Sequence, residues 1–346
     1  MKRRLTQWLS GLFIFLTLSL VIVHNAATPR ILVLHSYGPD YSWTRDVDVG
    51  LRRVLPREGS VLLRWHYMDL KRHPWPEAKV SAGVHAREVI DSWRPDIILA
   101  VDDDAQEYAA KYYVDNPKRT IIFAGTNGSV TPYGYDEATN VTGIFERLPL
   151  QALKDTLLHA GFKKAKNTPL RLLEISDDSP TVHRDEEFIR AYNWEPVRFL
   201  GSRLVDTFDD WKKVVLEAQN KADVLLTTNY RALARSRQDS SLVPPKEVVA
   251  WTMSNSTLPM VGCNGFFVED GGMLAIATSP FEQGEVAATM AMKLIVKKVA
   301  PRTIPVASTK QFLVYMRPKQ LTSHRLSLPP LYEAFARATH NYFIEP

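Results

Sequence analysis

From residue 30 onward, short runs of aliphatic residues alternate with longer amphipathic stretches, and the alternation starts afresh after residue 143. A run such as Ile31-Leu32-Val33-Leu34 has no polar side to offer water, which is the pattern of a strand covered on both faces in a parallel sheet. The spacing predicts strands at Ile31–Leu34, Val61–Met68, Asp96–Val101 and Thr120–Ala124. It places helices at Val47–Leu55, Pro76–Trp93 and Ala105–Tyr113, with Pro76 at a tolerated first-turn position. The second series predicts strands at Leu170–Ile175, Val197–Leu200, Asp223–Thr228 and Pro259–Gly262 around helices at Val182–Tyr192, Phe208–Asn220 and Lys246–Met253. Two βαβ series in tandem imply an α/β protein of two doubly wound parallel-sheet lobes with an interlobe cleft. The length of 346 residues suits that division, at about 120–150 residues a lobe.

The N-terminus stands apart from this rhythm. Lys2-Arg3-Arg4 precedes an almost uninterrupted apolar run from Trp8 to Val23, followed by His24-Asn25-Ala26-Ala27. Basic, apolar and then small residues, in that order, mark a secretory leader. Residues 1–27 are therefore expected to be a signal peptide or an uncleaved N-terminal anchor, which puts the body of the protein in the periplasm. The net charge of +5 shrinks once this head is set aside, because 40 of the 43 basic residues then face 38 acidic ones. Such a nearly neutral body carries no basic stripe, so nucleic-acid binding is not expected. Cys263, the single cysteine, has no partner for an internal disulfide and lies far from the leader, so it is no lipid anchor.

In open parallel sheets, ligands gather beyond the carboxyl ends of the strands. The residues there are polar and aromatic: His35-Ser36-Tyr37, Asp102-Asp103-Asp104 and Thr126-Asn127 in the first series. Ser176-Asp177-Asp178, Asn229-Tyr230 and Cys263-Asn264-Gly265-Phe266 follow in the second. Ser, Asp and Asn also cap helices and close turns at such points, so each tip has a structural reading beside the functional one. No nucleophile elbow, phosphate loop, dinucleotide fingerprint or HExxH pair occurs. Three consecutive aspartates point in different directions and do not form a metal site, and His35 and Ser36, adjacent on one strand, face opposite ways. No catalytic residue, metal or cofactor is assigned, and the chain is not expected to be an enzyme.

The run Ile31-Leu-Val-Leu-His-Ser-Tyr37, followed by Tyr41-Ser-Trp-Thr44 and Gly50, resembles the opening of ABC-transporter substrate-binding proteins and related periplasmic sensor domains. Asn140-Val-Thr-Gly143 is similar to their crossover between lobes. Gly271-Gly-Met-Leu-Ala275 with Gly284–Met292 is similar to the return into the first lobe, and Ile304-Pro-Val306 and Phe312–Tyr315 to the closing segment. The resemblance spans roughly residues 30–330 and implies a type I periplasmic binding protein. Lobe one would comprise 30–143 and about 276–305, lobe two 144–275, and residues 306–346 a closing segment and tail. It further implies capture of a small organic solute between the lobes and its delivery to an ABC permease. The alternative is a periplasmic sensor signalling to a membrane kinase or cyclase. The expected contacts are Ser36, Tyr37, Asp102, Thr126 and Asn127 from lobe one, and Asp177, Asn229, Tyr230 and Asn264 from lobe two. Relatives include amino-acid binders, and a zwitterion fits these tips: Asp102 and Asp177 for an ammonium group, Ser36, Thr126 and helix-start N–H groups for a carboxylate. Tyr37, Tyr230 and Phe266 would face its side chain.

Overall fold

The computed structural model describes residues 2–55, 60–162 and 168–344, with the side chains of 2–6, 22 and 24–26 outside that description. The basic head Lys2-Arg3-Arg4 and the stretch His24-Asn25-Ala26 of the expected leader therefore lie outside the described side chains. The segment expected to be the leader forms α1 (Lys2–Ala27), on which Trp8, Leu12, Phe13, Ile14, Phe15 and Leu16 are each more than half exposed. Among the described residues, no helix is long and apolar enough to cross a membrane.

The body divides into two compact units, 1–144 with 283–307 and 145–282 with 308–346. Lobe one contains β1 (Arg30–His35), α2 (Ser42–Val54), β2 (Leu62–Tyr67), α3 (Pro76–Trp93), β3 (Ile97–Val101), α4 (Asp103–Tyr108), β4 (Thr120–Thr126) and β5 (Val141–Phe145). Lobe two follows with α5 (Leu150–His159), β6 (Arg171–Asp177), α6 (Pro180–Ala191), β7 (Arg198–Val205), α7 (Phe208–Ala218), β8 (Val224–Thr227) and α8 (Pro245–Asn255). It continues through β9 (Met260–Gly262), α9 (Phe266–Glu269) and β10 (Leu274–Thr278). Then come α10 (Pro280–Lys297), β11 (Ala307–Ser308), β12 (Phe312–Met316), α11 (Pro318–Ser323) and α12 (Pro330–Ala338).

Each lobe holds a six-stranded sheet, ordered β11-β5-β4-β3-β1-β2 in one and β12-β10-β9-β8-β6-β7 in the other. The pairs β1–β2, β1–β3 and β3–β4 are parallel, as are β6–β7, β6–β8, β8–β9 and β9–β10. In both sheets the chain runs outward from its first strand, reverses, and returns past it. The reversal leaves a switch point between β1 and β3 in lobe one and between β6 and β8 in lobe two.

Aliphatic runs supply the cores, as their lack of a polar face demands. Ile31, Val33, Leu99 and Ile122 pack with Val47 and Leu51 of α2 and with Ala287, Ala288 and Ala291 of α10. In lobe two, Leu172, Val224 and Leu226 face one side of the sheet, while Ile175, Leu225, Trp211 and Tyr230 face the other. Each such side chain contributes about 1.5–3 kcal/mol on burial, so these layers hold the lobes and leave the strand ends to other work.

Some elements depart from the sequence expectations. The helix expected over Ala105–Tyr113 begins two residues earlier and breaks at Ala109, whose φ −136°, ψ −61° is not helical; the chain then makes a tight 3₁₀ turn over Ala110–Tyr113. Residues near 276, expected to return to lobe one, form β10, and the compact units change over at Gln283. The closing segment supplies β12, which runs antiparallel to β10 and completes the sheet of lobe two.

Candidate functional site

Lobe one places Ser36 and Tyr37 just beyond β1 and Asp102 just beyond β3, on the two sides of its switch point. Ser36 Oγ donates to the Val101 carbonyl at 2.8 Å and accepts from the Ala105 N–H at 2.7 Å. It thus ties the two strand ends together and caps α4. Asp102 sits at φ 68°, ψ 164°, a region that is essentially reserved for glycine and costs about 1–3 kcal/mol to hold. It is held by its N–H on the Ala124 carbonyl at 2.8 Å and by the Gln106 amide, which reaches the Ala100 and Asp102 carbonyls.

Asp102 is 4% exposed. Trp43 Nε1 donates to its Oδ1 at 2.8 Å, whereas Oδ2 has no hydrogen-bond partner among the described residues. Burial pushes this carboxyl well above the usual carboxylate range; Lys71 and the Trp43 N–H pull it back, and the charges of Asp103 and Asp104 add to the rise. Gly125, at φ 65°, closes the other side, since a Cβ there would lie 2.8 Å from Asp102 Oδ1. Tyr37 is half-buried and meets Tyr41 edge-on at 5.4 Å. The Lys71 ammonium stands 4.4 Å from the centre of the Tyr37 ring and 5.5 Å from that of Tyr41. Burial and the nearby Asp102 charge raise the Tyr37 hydroxyl well above its ordinary value.

The three aspartates diverge, each to its own partner. Asp103 accepts from the Tyr133 hydroxyl at 2.9 Å and the Asn127 N–H at 3.3 Å, and Asp104 pairs with Lys79 at 2.9 Å. Thr126 ends β4 fully buried, with Asn127 half-buried beyond it. His35 faces the opposite way from Ser36 and sets its Nε2 2.8 Å from Asp48 Oδ1. The Trp65 N–H and the Tyr67 hydroxyl donate to the same carboxylate at 2.8 and 2.7 Å. Burial raises the Asp48 pKa, but the bonds from His35, Tyr67 and Trp65 outweigh it and the net direction is down.

The strand ends of lobe two are knitted to their own loops. Asp177 is fully buried, its Oδ1 accepting from the Ser179 N–H at 3.1 Å and its Oδ2 from the Ala232 N–H at 3.0 Å. Asn229 Oδ1 accepts from the N–H groups of Tyr230 and Arg231. Tyr230 has no exposed surface; it packs among Trp211, Phe266 and Phe267 and donates its hydroxyl to Asp270 Oδ2 at 2.7 Å. Asn264 is half-buried and donates from Nδ2 to the Thr228 carbonyl at 2.9 Å. Ser179 Oγ, at the start of α6, is buried without a hydrogen-bond partner among the described residues.

The structure therefore brings Ser36, Tyr37 and Asp102 together at one switch point and Asp177 and Asn229 at the other, where the Asp177 N–H donates to the Asn229 carbonyl at 2.9 Å. Sequence reasoning missed Lys71 and Ser179, and quoted Tyr41 and Trp43 only as part of a motif. Among the described residues, no group of His, Cys, Asp or Glu side chains is arranged to hold a metal ion.

No family model matches the chain, and no curated protein sequence does. Solved structures do match in fold. The chain is similar to the ligand-free, open structure of a substrate-binding protein with adhesive properties from Clostridium difficile, at 13% identity and a TM-score of 0.65 over 92% of this chain and 99% of that one. A Streptococcus pneumoniae ABC domain in complex with L-Trp aligns at 13% identity and 0.59 over 89% and 98%. A chain of the TorS sensor domain–TorT complex, solved without ligand, aligns at 12% and 0.51 over 87% and 97%. Two doubly wound lobes of this topology, aligned along nearly the whole length of such neighbours, give the chain the fold of the type I periplasmic binding proteins.

Proposed function

We propose that this protein is an exported solute-binding protein that captures a small organic solute carrying an ammonium group and hands it to an ABC permease in the periplasm. Asp102 carries the reading: a buried carboxyl held in a costly backbone conformation at the lobe-one switch point, with one oxygen unpartnered among the described residues. Strain of this kind persists where the surrounding structure enforces it, and it concentrates at ligand sites. A buried acceptor left unsatisfied costs about 1–3 kcal/mol, a cost that an incoming N–H group removes. Beside it the Tyr37–Tyr41 pair already receives an ammonium, that of Lys71, which is the chemistry a cationic ligand group meets. An amino acid or similar zwitterion fits this combination, and a similar fold is known in complex with L-Trp.

In this reading Tyr37, Asp102 and Asn127 meet the solute from lobe one, with Asn229, Asn264 and Ser179 from lobe two, while Ser36, Thr126, Asp177 and Tyr230 shape the tips that carry them. Binding, rather than catalysis, is the role assigned to every one of these residues. The apolar length of α1 serves as the leader or anchor.

A thermal-shift screen of amino acids, sugars and organic acids identifies the ligand class, because a ligand at 100 times its dissociation constant adds about 2.7 kcal/mol of stability. Asp102→Asn then weakens the best ammonium-bearing ligand by about 10- to 150-fold, the worth of a charge-assisted contact. Affinity unchanged within about twofold refutes the ammonium role. Small-angle scattering tests capture by both lobes, which requires compaction when ligand is added. A sensing role is the second reading, and the likeness to the TorS–TorT complex is what favours it. Co-purification with a membrane kinase or cyclase instead of a permease would establish it.

A further inference from the structure

Lobe two carries a second concave feature, away from its switch point, on the edge strand β7. A groove of about 460 Å³ runs between this strand and α7, lined by Arg171, Arg198, Arg203 and Lys221, one carboxylate, Glu217, and the apolar Leu200 and Val214. Its composition follows from one irregularity. The β6–β7 register pairs Leu172 with Phe199 and then Glu174 with Ser202, so three residues of β7 span two of β6. Gly201, at φ 103°, absorbs the extra residue. In a regular strand Arg198 and Arg203 would face opposite sides; the bulge returns Arg203 to the face of Arg198.

The groove's charges are unequal in their company. Arg171 is held by Asp223 at 2.9 Å, and Lys221 stands 3.9 Å from Glu217. Arg198 and Arg203 are exposed and have no acidic partner among the described residues. Charged side chains and bulges on an edge strand also prevent sheets from pairing edge to edge. That duty explains neither why two guanidinium groups line one groove nor why apolar side chains share its lining.

We propose that this groove is an anion site that takes a phosphate group, borne either by a phospholipid headgroup whose acyl portion rests on Leu200 and Val214 or by free phosphate. Guanidinium forks match phosphate oxygens in pairs, and the volume lies within the range of about 300–1,000 Å³ typical of ligand pockets. Calorimetric titration of the full chain with inorganic phosphate and with dihexanoyl phosphatidylglycerol, below its micelle concentration, tests it. Both are expected to bind, more weakly as salt rises. R198Q/R203Q should weaken both by at least about tenfold, with R198K/R203K, which keeps the charge but not the fork, in between. Lipid binding at least about tenfold tighter than phosphate identifies the headgroup as the occupant, and equal affinities identify free phosphate. Circular-dichroism melts establish that both variants are folded. If the double glutamine variant binds as the parent does, or the parent binds neither probe, the arginines protect an edge and the proposal falls.

Discussion

The two switch points are built from the same residue types and use them differently. In lobe two, both oxygens of Asp177 receive backbone N–H groups, Asn229 receives two more, and Tyr230 gives its hydroxyl to Asp270. These side chains are the staples of their own loops. In lobe one, Ser36 does the stapling, and Asp102 is left with a strained backbone, one tryptophan N–H and an oxygen without a partner among the described residues. The contrast teaches that polar residues at strand ends are informative only after their hydrogen bonds have been accounted for. A satisfied carboxylate holds a loop, whereas an unsatisfied buried one has capacity for something else.

Buried carboxyls provide the largest test of that contrast. Glu174 lies in β6, fully buried, with Ser202 Oγ donating to Oε2 at 2.7 Å and Ser176 Oγ to Oε1 at 3.3 Å. Burial raises its pKa from 4.5 to about 7, against the pull of Ser202 and with a push from Glu186. The folded state thus holds the proton more tightly than the unfolded chain. The associated stability is fully present below pH 4.5 and is lost as pH climbs to about 7. Glu174→Gln removes the ionisation, so the variant should gain on the order of 3 kcal/mol over the parent at pH 8 and little at pH 4. Denaturant unfolding at the two pH values measures this, and ligand affinity should not move, because this carboxyl has its partners inside the lobe. A difference that does not depend on pH would show that Glu174 ionises in the folded protein as it does in the unfolded chain.

Asp177→Ala is the second test. Two backbone N–H groups lose their acceptor, one beside α6 and one in the loop after β8, and the expected cost is about 2 kcal/mol. The melting temperature should fall in both the presence and the absence of ligand by a similar amount. A variant of unchanged stability that no longer binds ligand would erase the distinction between the lobes.

What was legible beforehand follows the same division between local and distant causes. Ile31–Leu34 announces a buried strand because four adjacent aliphatic side chains leave no face for water, and each is fully buried. Pro76–Trp93 has a proline at its start and a helical pattern throughout, and the helix keeps those bounds. The edge of Asp102 was visible as a position, but its state was not. Its donor Trp43 is 59 residues away, and Lys71 reaches Tyr37 only because the loops after β1 and β2 lie side by side. The break of the expected helix at Ala109 has no local breaker residue to announce it. Gly201 lies just past the strand expected over Val197–Leu200, whereas the strand runs on to Val205, so the bulge behind the arginine groove was not announced.

Asp102→Gly tests the strain directly. Glycine adopts φ 68°, ψ 164° at no steric cost, which returns about 1–3 kcal/mol; loss of the Trp43 hydrogen bond takes back about 1 kcal/mol. The variant should therefore unfold at a urea concentration equal to or above that of the parent and should fail to bind the ligand. A clear loss of stability would make Asp102 a staple like Asp177, and lobe one would then be no different in kind from lobe two.

The smallest expected effect belongs to Lys71→Met, which keeps the aliphatic stem and removes the ammonium from the Tyr37–Tyr41 pair. In the empty protein this charge opposes the rise of the Asp102 pKa and occupies the attraction of both rings. An incoming ammonium group competes with it on both counts. Its removal should tighten binding of an amine-bearing ligand by about two- to fivefold, the worth of one exposed cation–π contact, and leave a ligand without an amine unaffected. Thermal-shift titration of parent and variant with the best amine from the screen, and with its carboxylate-only analogue, separates these outcomes. Weaker binding of both the amine-bearing ligand and its carboxylate-only analogue would place Lys71 on the ligand's anionic end, and the ammonium would then have to be read by Asp102 without help from the tyrosines.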